Sequence, residues 1–446
     1  MRIYADNAAT SHPKAPGVVE AIAAEAQRLY SPGRAGYRES LDAASLVRRT
    51  RGRLAELIGA TGNEQSSPPD RIVLTSGTTD SLNLAIKGVV RHAVRTFGRA
   101  HVIATSIDHN AVLRPLHALT HELGFRPYPK LSPHGPSSSD ADLARTPMSH
   151  PEQDLQSPQA VTFTLIRPRE GTYVINPRDI QDAITPDTRL IVLNAVSNVT
   201  GAIQPIAEIS AIRGDTPLLI DAAQLLGHLP FQLAQTIARD QLGSTMLAIS
   251  SHKGLLGPAG IGAIYIGPGM ENKIMSWRDG GTGTNSESAL QPTHMPTRFE
   301  AGTFNMLGVA GFDASLDYVL HRGTQSLRAH ELTLITHALS RIAAYNRSPQ
   351  SARSQLTLHG PTDPRDRTAI FSLSTNVAPA SILAATLESG FQVLCRAGLS
   401  CAPYALTDSG PSEGAVRISF GFSQTLADVD QVFDALAAAV ALLTPS

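Results

Sequence analysis

The sequence predicts an α/β protein, with a large domain on a mostly parallel sheet and a smaller α+β domain toward the end of the chain. Two observations carry this. Apolar runs of strand length alternate with segments of helical period, the pattern of βαβ units covered on both faces. Toward the C-terminus that alternation gives way to long helical patterns with few strands between them.

Taken in order, the run Arg71–Thr75 is followed by the helical pattern Asp80–Val94, and His101–Thr105 by Ala111–Leu123. Leu190–Asn194 leads to Ile206–Ile212, and Leu218–Asp221, Met246–Ser250 and Ile261–Ile266 complete the strand candidates of the large domain. In the tail, Gln325–Ala344 predicts a helix, Thr368–Leu373 a strand and Leu426–Leu443 an amphipathic helix. Residues 13–315 are expected to form the large domain, and 1–12 with 316–446 the smaller one. Residues 127–160 are rich in Pro, Ser and Asp without apolar periodicity, and are expected to be an exposed insertion.

Composition narrows the function. The 446 residues carry 37 basic and 38 acidic side chains, a net charge of −1, which gives nucleic acid nothing to hold on to. The longest apolar run, Ala435–Leu443, is too short to span a bilayer, and Asp6 and Asn7 come too early for a signal peptide. Two cysteines in so long a chain argue against a disulfide framework, so a cytoplasmic protein acting on a small molecule is expected.

In parallel α/β sheets ligands bind beyond the carboxyl ends of the strands. Arg71–Thr75 runs into Gly77, Thr78 and Thr79, which open a helix and offer backbone N–H groups and hydroxyls to an anion, although plain helix capping explains them as well. His101–Thr105 leads to Asp108 and His109, Leu190–Asn194 to Asn198, and Leu218–Asp221 to Gln224. Met246–Ser250 ends in Ser250, His252 and Lys253, followed by a glycine-rich loop. Lys253 has a plain reading, a lysine snorkelling to the surface, and a sharper one, a desolvated Schiff-base nucleophile. Five strand ends with polar groups favour the sharper one. An anion cradle, a carboxylate and an amine together suit pyridoxal phosphate, which carries a phosphate, a protonated ring nitrogen and an aldehyde. Gly77–Thr79, Ser250 and His252 would hold the phosphate, Asp221 the ring nitrogen, and His109 would stack on the ring. No glycine-rich nucleotide motif competes, and no metal is expected, because His330-Glu331 lacks a second His and there is no Cys-x-x-Cys.

The chain resembles the class V aminotransferase family of fold-type I pyridoxal-phosphate enzymes, and within it the cysteine desulfurases and selenocysteine lyases. The stretches that carry this run nearly end to end: "YADNAAT", "TSGTTDSLNLA", "DHNAVLRPL", "SNVTGAIQPI", "IDAAQ", "SSHKGLLGPAGIG", "FEAGTFN", "CRAGLSCAP" and "AVRISFGF". The resemblance implies a seven-stranded type of sheet, Lys253 as the Schiff-base lysine, Asp221 as the pyridinium partner and His109 as the stacking base. It implies that Gln224 meets the ring hydroxyl, that Thr79, Ser250 and His252 meet the phosphate, and that Asn198 and Arg417, with Arg396 nearby, hold the substrate carboxylate. It implies a homodimer in which Thr303 reaches the partner's phosphate, against the plainer reading of Thr303 as a helix N-cap.

Cys401 matches the family's nucleophilic cysteine. Its flanking Arg396, Gly398 and Pro403 suit an exposed, electropositive loop, whereas Cys395 in "FQVLC" suits a buried small hydrophobe. The implied activity is conversion of L-cysteine to L-alanine with sulfur left as a persulfide on Cys401. The short loop around it resembles desulfurases that depend on a separate sulfur-acceptor protein. Selenocysteine lyase activity, another activity of the family, and a non-catalytic sulfur-transfer partner are the alternatives. The chain departs from many relatives at Tyr37 and Ser400, where histidines are common.

Overall fold

The computed structural model describes residues 2–28, 35–60, 67–122, 130–131, 160–169, 171–284, 286–406 and 410–445. The strands, in chain order, are β1 (Ile3–Tyr4), β2 (Ile72–Thr75), β3 (Ala100–Thr105), β4 (Lys130–Leu131), β5 (Val161–Ile166), β6 (Thr188–Asn194), β7 (Leu218–Asp221), β8 (Thr245–Ser250), β9 (Gly262–Ile266), β10 (Leu356–His359), β11 (Ile370–Thr375), β12 (Val393–Leu394), β13 (Arg396–Gly398) and β14 (Ala415–Ser419).

The principal sheet has the order β2-β9-β8-β7-β6-β3-β5-β4, and every pairing is parallel except the two made by β9. Its central strands β7 and β8 read as near-continuous apolar runs because both faces are covered. Leu218, Ile220, Leu247 and Ile249 point into one core, and Leu219, Met246 and Ala248 into the other, as alternation along a strand requires. The helices Thr78–Phe97 and Asn110–Glu122 cover the second face, while Arg38–Ile58 and Met306–Arg322 contribute to the first.

The sheet has eight strands where seven are expected. The eighth, β4, lies inside the stretch expected to be an exposed insertion, and its two residues pair in parallel with β5 at the sheet edge. Within that stretch only Lys130, Leu131 and Ala160 are described; the rest of 127–160 lies outside the described residues.

A second sheet, β10-β11-β14-β13, is antiparallel throughout. The helices Thr324–Arg347, Ala380–Phe391 and Leu426–Leu443 pack with it around a third core, and β1 pairs in parallel with β12 beside them. This sheet is tied to the large one: Ser372 Oγ donates to the Val199 carbonyl at 2.7 Å, and the Thr368 amide to Gly201 O at 3.0 Å. The loop after β6 therefore meets β11. Among the described residues no helix is long and apolar enough to cross a membrane.

Candidate active site

β2, β3, β6, β7 and β8 run in one direction, so their carboxyl ends share one edge of the sheet. Beyond β2, Gly77 adopts φ 149°, a conformation that favours glycine, and starts the helix Thr78–Phe97. Gly262, opposite both Thr75 and Ser250, separates the two loops. A Cβ there would meet Ile249 O at 2.5 Å and Gly77 Cα at 2.7 Å, so only glycine lets the helix start approach Ser250. Thr78 Oγ1, Ser250 Oγ and His252 Nδ1 are all buried without a hydrogen-bond partner among the described residues. Buried polar atoms rarely stay unpaired, and these sit beside a helix N-terminus, which favours an anion. Thr79 is exposed on the same turn.

Lys253 follows β8 and lines a narrow cleft with Ser11, Gly254, His228 and Glu331. Burial pushes its ammonium pKa down, Asp221 pulls it back up and Arg417 pushes it down again. Asp221, 4% exposed at the tip of β7, has its carboxyl pushed up by burial and drawn back by Lys253 and by the Ala223 amide, which donates to Oδ1 at 3.0 Å. His109 is pushed down to about 4, first by burial and then by Lys253, so its ring is neutral at pH 7. Its Nδ1 accepts the Ala111 amide at 3.0 Å, which leaves the proton on Nε2. His252 is likewise lowered to about 4 by burial, Lys253 and Lys14.

Gln224 donates from Nε2 to Ala8 O at 2.8 Å and leaves Oε1 buried and unpartnered. Asn198 donates from Nδ2 to Ser400 O at 2.7 Å, and its own carbonyl accepts from Arg417 at 3.0 Å. Arg417, on β14, also donates to Asp6 Oδ1 at 2.6 Å and has its Nε buried without a partner. Arg396 stands directly opposite Arg417 across β13 and β14. Two cations in register repel unless anions join them. Asp6 supplies one negative charge, and Arg396 has no ion pair among the described residues.

Cys401 is exposed, at the tip of a tight turn. Ser400 and Cys401 have φ 49° and 60°, and the Ala402 amide closes the turn onto Leu399 O at 3.0 Å. Two successive non-glycine residues in the left-handed region cost on the order of 1–2 kcal/mol each. The turn is secured from outside by Asn198 and by the Asn110 amide, which donates to Cys401 O at 2.8 Å. Cys401 is near enough to Lys253 and Arg417 to influence both their charges. Cys395 differs: it packs on the third core, and burial with Asp6 and Glu388 pushes its thiol up to about 12.

Lys253, Asp221, His109, Asn198, Arg417 and Cys401 are thus joined by contacts or mutual charge effects around one strand edge, and Gln224 follows Asp221 by three residues without such a link. Thr303 stands apart, exposed, and is not the cap of the following helix. Asn305 caps Met306–Arg322 by accepting from the Gly308 amide at 3.0 Å. Sequence reasoning did not single out Asp6, which pairs with Arg417. Its signal was the short motif "YADNAAT", but its partner lies 411 positions away.

The orphaned Thr78, Ser250 and His252 atoms at an anion cradle, with a desolvated lysine beside a buried carboxylate, fit pyridoxal phosphate. A mixed α/β architecture with this arrangement defines a fold-type I transferase. The family model described as aminotransferase class-V matches residues 3–136 and 148–432, and the chain belongs to that family. It is similar to the cysteine desulfurase IscS of Dictyoglomus turgidum, 28% identical over 97% of this chain and 93% of that one. A cysteine desulfurase of Yersinia pseudotuberculosis is 26% identical over 88% of this chain and 82% of its own length. Among solved structures, the apo cysteine desulfurase of Thermococcus onnurineus superposes with a TM-score of 0.77 at 23% identity, covering 98% of this chain and 94% of that one. The cysteine desulfurase CsdA of Escherichia coli gives 0.75 at 22%, covering 99% and 95%.

Proposed function

We propose that the protein is a pyridoxal-phosphate-dependent cysteine desulfurase, converting L-cysteine to L-alanine and keeping the sulfur on Cys401. The observation that carries this is Cys401, exposed on a secured turn and near enough to Lys253 and Arg417 to act on their charges. The cysteine desulfurase relatives support it.

Gly77, Thr78, Thr79, Ser250 and His252 would hold the cofactor's phosphate, Gln224 its ring hydroxyl, Asp221 its ring nitrogen, and His109 would stack on its face. When bound, pyridoxal phosphate supplies an aldehyde for the substrate amine and a protonated ring that draws electrons from Cα. Asp221, buried beside Lys253, would pair with that ring nitrogen and keep its proton in place. Lys253, its pKa lowered by burial, is the base that takes the Cα proton and later returns one. His109, neutral, can lie against a cationic ring without repelling it. Arg417, Arg396 and Asn198 bind the substrate carboxylate. Cys401 then attacks as the thiolate: its Sγ bonds to the substrate sulfur, the carbon–sulfur bond breaks, and the released electron pair is protonated on carbon to give alanine.

Residues 13–315 would form the cofactor domain and 1–12 with 316–446 the smaller one, in a cytoplasmic homodimer that passes sulfur to an acceptor protein. Part of the support for a dimer is local: Trp277, Leu290 and Leu307, all exposed, flank Thr303 in sequence.

The test is an assay for alanine and sulfide from cysteine, with borohydride reduction of the loaded protein placing the cofactor on the Lys253 peptide. A label on another lysine, or no alanine, would overturn the assignment.

A further inference from the structure

We propose that Asp6 is the positioning residue that aims Arg417 at the substrate carboxylate and sets the charge this carboxylate meets. It rests on the desulfurase reading above and adds a residue that the reading does not use.

Arg417 is 1% exposed, and its side chain ends in five N–H bonds of fixed geometry. One end donates to Asn198 O at 3.0 Å and the other to Asp6 Oδ1 at 2.6 Å. With both terminal nitrogens held, the planar group cannot turn. Of the five N–H bonds three remain: that of Nε, buried and unpartnered among the described residues, and a second hydrogen on each terminal nitrogen. Nε and the terminal nitrogen beside it carry two parallel N–H bonds, the geometry that matches a carboxylate.

Asp6 is well placed to act as a fixed anchor. It bridges to Ser419, two residues beyond Arg417 on β14, and the neighbouring Asn7 donates to Ser419 O at 3.3 Å. The charge count follows. Arg396 and Arg417 face each other in register, and Asp6 is the one carboxylate paired with either among the described residues. Two cations and one anion leave one positive charge, which a single carboxylate balances. Removing Asp6 would leave a buried guanidinium without its counter-charge or its orientation.

The probe is 3-mercaptopropionate, a thiol with one carboxylate and no amine, so it cannot condense with the cofactor's aldehyde as cysteine does. Its affinity for the loaded protein is measured by calorimetry for wild type and Asp6→Asn. Loss of a charge-assisted contact that aligns the binding edge should weaken it roughly tenfold or more. 3-Mercaptopropan-1-ol, which keeps the thiol and lacks both the carboxylate and an amine, should bind wild type and variant within about twofold, and the cysteine KM should rise more than kcat falls. Equal 3-mercaptopropionate affinity in a folded Asp6→Asn protein would overturn the proposal. So would an equal loss for 3-mercaptopropan-1-ol, which would mean a general disturbance of the site.

Should Asp6→Asn fail to fold, Asp6→Glu keeps the charge and moves it by one methylene. It should still weaken 3-mercaptopropionate severalfold, and unchanged affinity would again overturn the proposal. Asp6-dependent binding in a protein that makes no alanine from cysteine would sustain the role of Asp6 and sink the desulfurase reading.

Discussion

Asn198 donates its side-chain amide to Ser400 O at 2.7 Å, so the loop after β6 holds the turn that presents Cys401. The same residue accepts from Arg417 through its backbone carbonyl, which joins the thiol turn to the arginine pair in two bonds. With the turn strained by two left-handed residues, this outside support is what keeps its geometry.

Asn198→Ala should therefore free the turn. A net hydrogen bond is worth about 1 kcal/mol, so alkylation of Cys401 by iodoacetamide in the unloaded protein should change by roughly fivefold, upward if the turn opens to solvent. Cys395 serves as the internal control. A Cys401 rate equal to that of wild type would mean that the Asn110 amide alone holds the turn.

Cys401→Ala should abolish sulfide release from cysteine, whereas Cys395→Ala should leave it within about twofold. The reason is ionisation: the Cys395 thiol, pushed up to about 12, stays protonated at any working pH. Inactivity of the Cys395 variant with a normal melting temperature would reverse the assignment.

Much of this was legible in the sequence. Leu218–Asp221, Ile206–Ile212 and Leu426–Leu443 have the observed bounds because each has a clean period and a polar stop. Val161–Ile166 was not, since its alternating threonines follow a long polar stretch and dilute the apolar run. The helix Arg38–Ile58 hid behind its five arginines, which face solvent or pair with Asp313, Asp317 and Glu300 rather than mark a loop. The site residues announced themselves at strand ends. Asp6 did not, because its meaning lies in a partner that only the folded chain brings near.

Asp108 makes a pH-dependent prediction. Burial pushes its carboxyl from 3.8 up to about 7, against the hydrogen bonds from Thr105. A raised pKa means the folded protein binds the proton more tightly than the unfolded chain. The associated stability is full below about pH 4 and is lost as pH rises through about 7. Asp108→Asn removes this titration, so its melting temperature relative to wild type should climb between pH 4 and pH 8. An offset that stays constant across that range would show that Asp108 is ionised throughout.

Thr303 tests the proposed dimer. Its alternative role, capping the helix Met306–Arg322, belongs to Asn305. Thr303→Ala should therefore cost little intrinsic stability, far from the about 1 kcal/mol of a lost cap. If Thr303 reaches the phosphate held by the other protomer, its loss should weaken pyridoxal-phosphate retention. Because a ligand shared across an interface stabilises the assembled form alone, it should also weaken the coupling between cofactor binding and dimerisation. The measurement is cofactor affinity together with sedimentation, each with and without the cofactor. Wild type should dimerise more tightly when loaded, and Thr303→Ala should lose part of that gain while keeping its melting temperature in the unloaded state. A variant that stays monomeric and binds pyridoxal phosphate as tightly as wild type would place the whole phosphate site within one chain, on Thr78, Ser250 and His252.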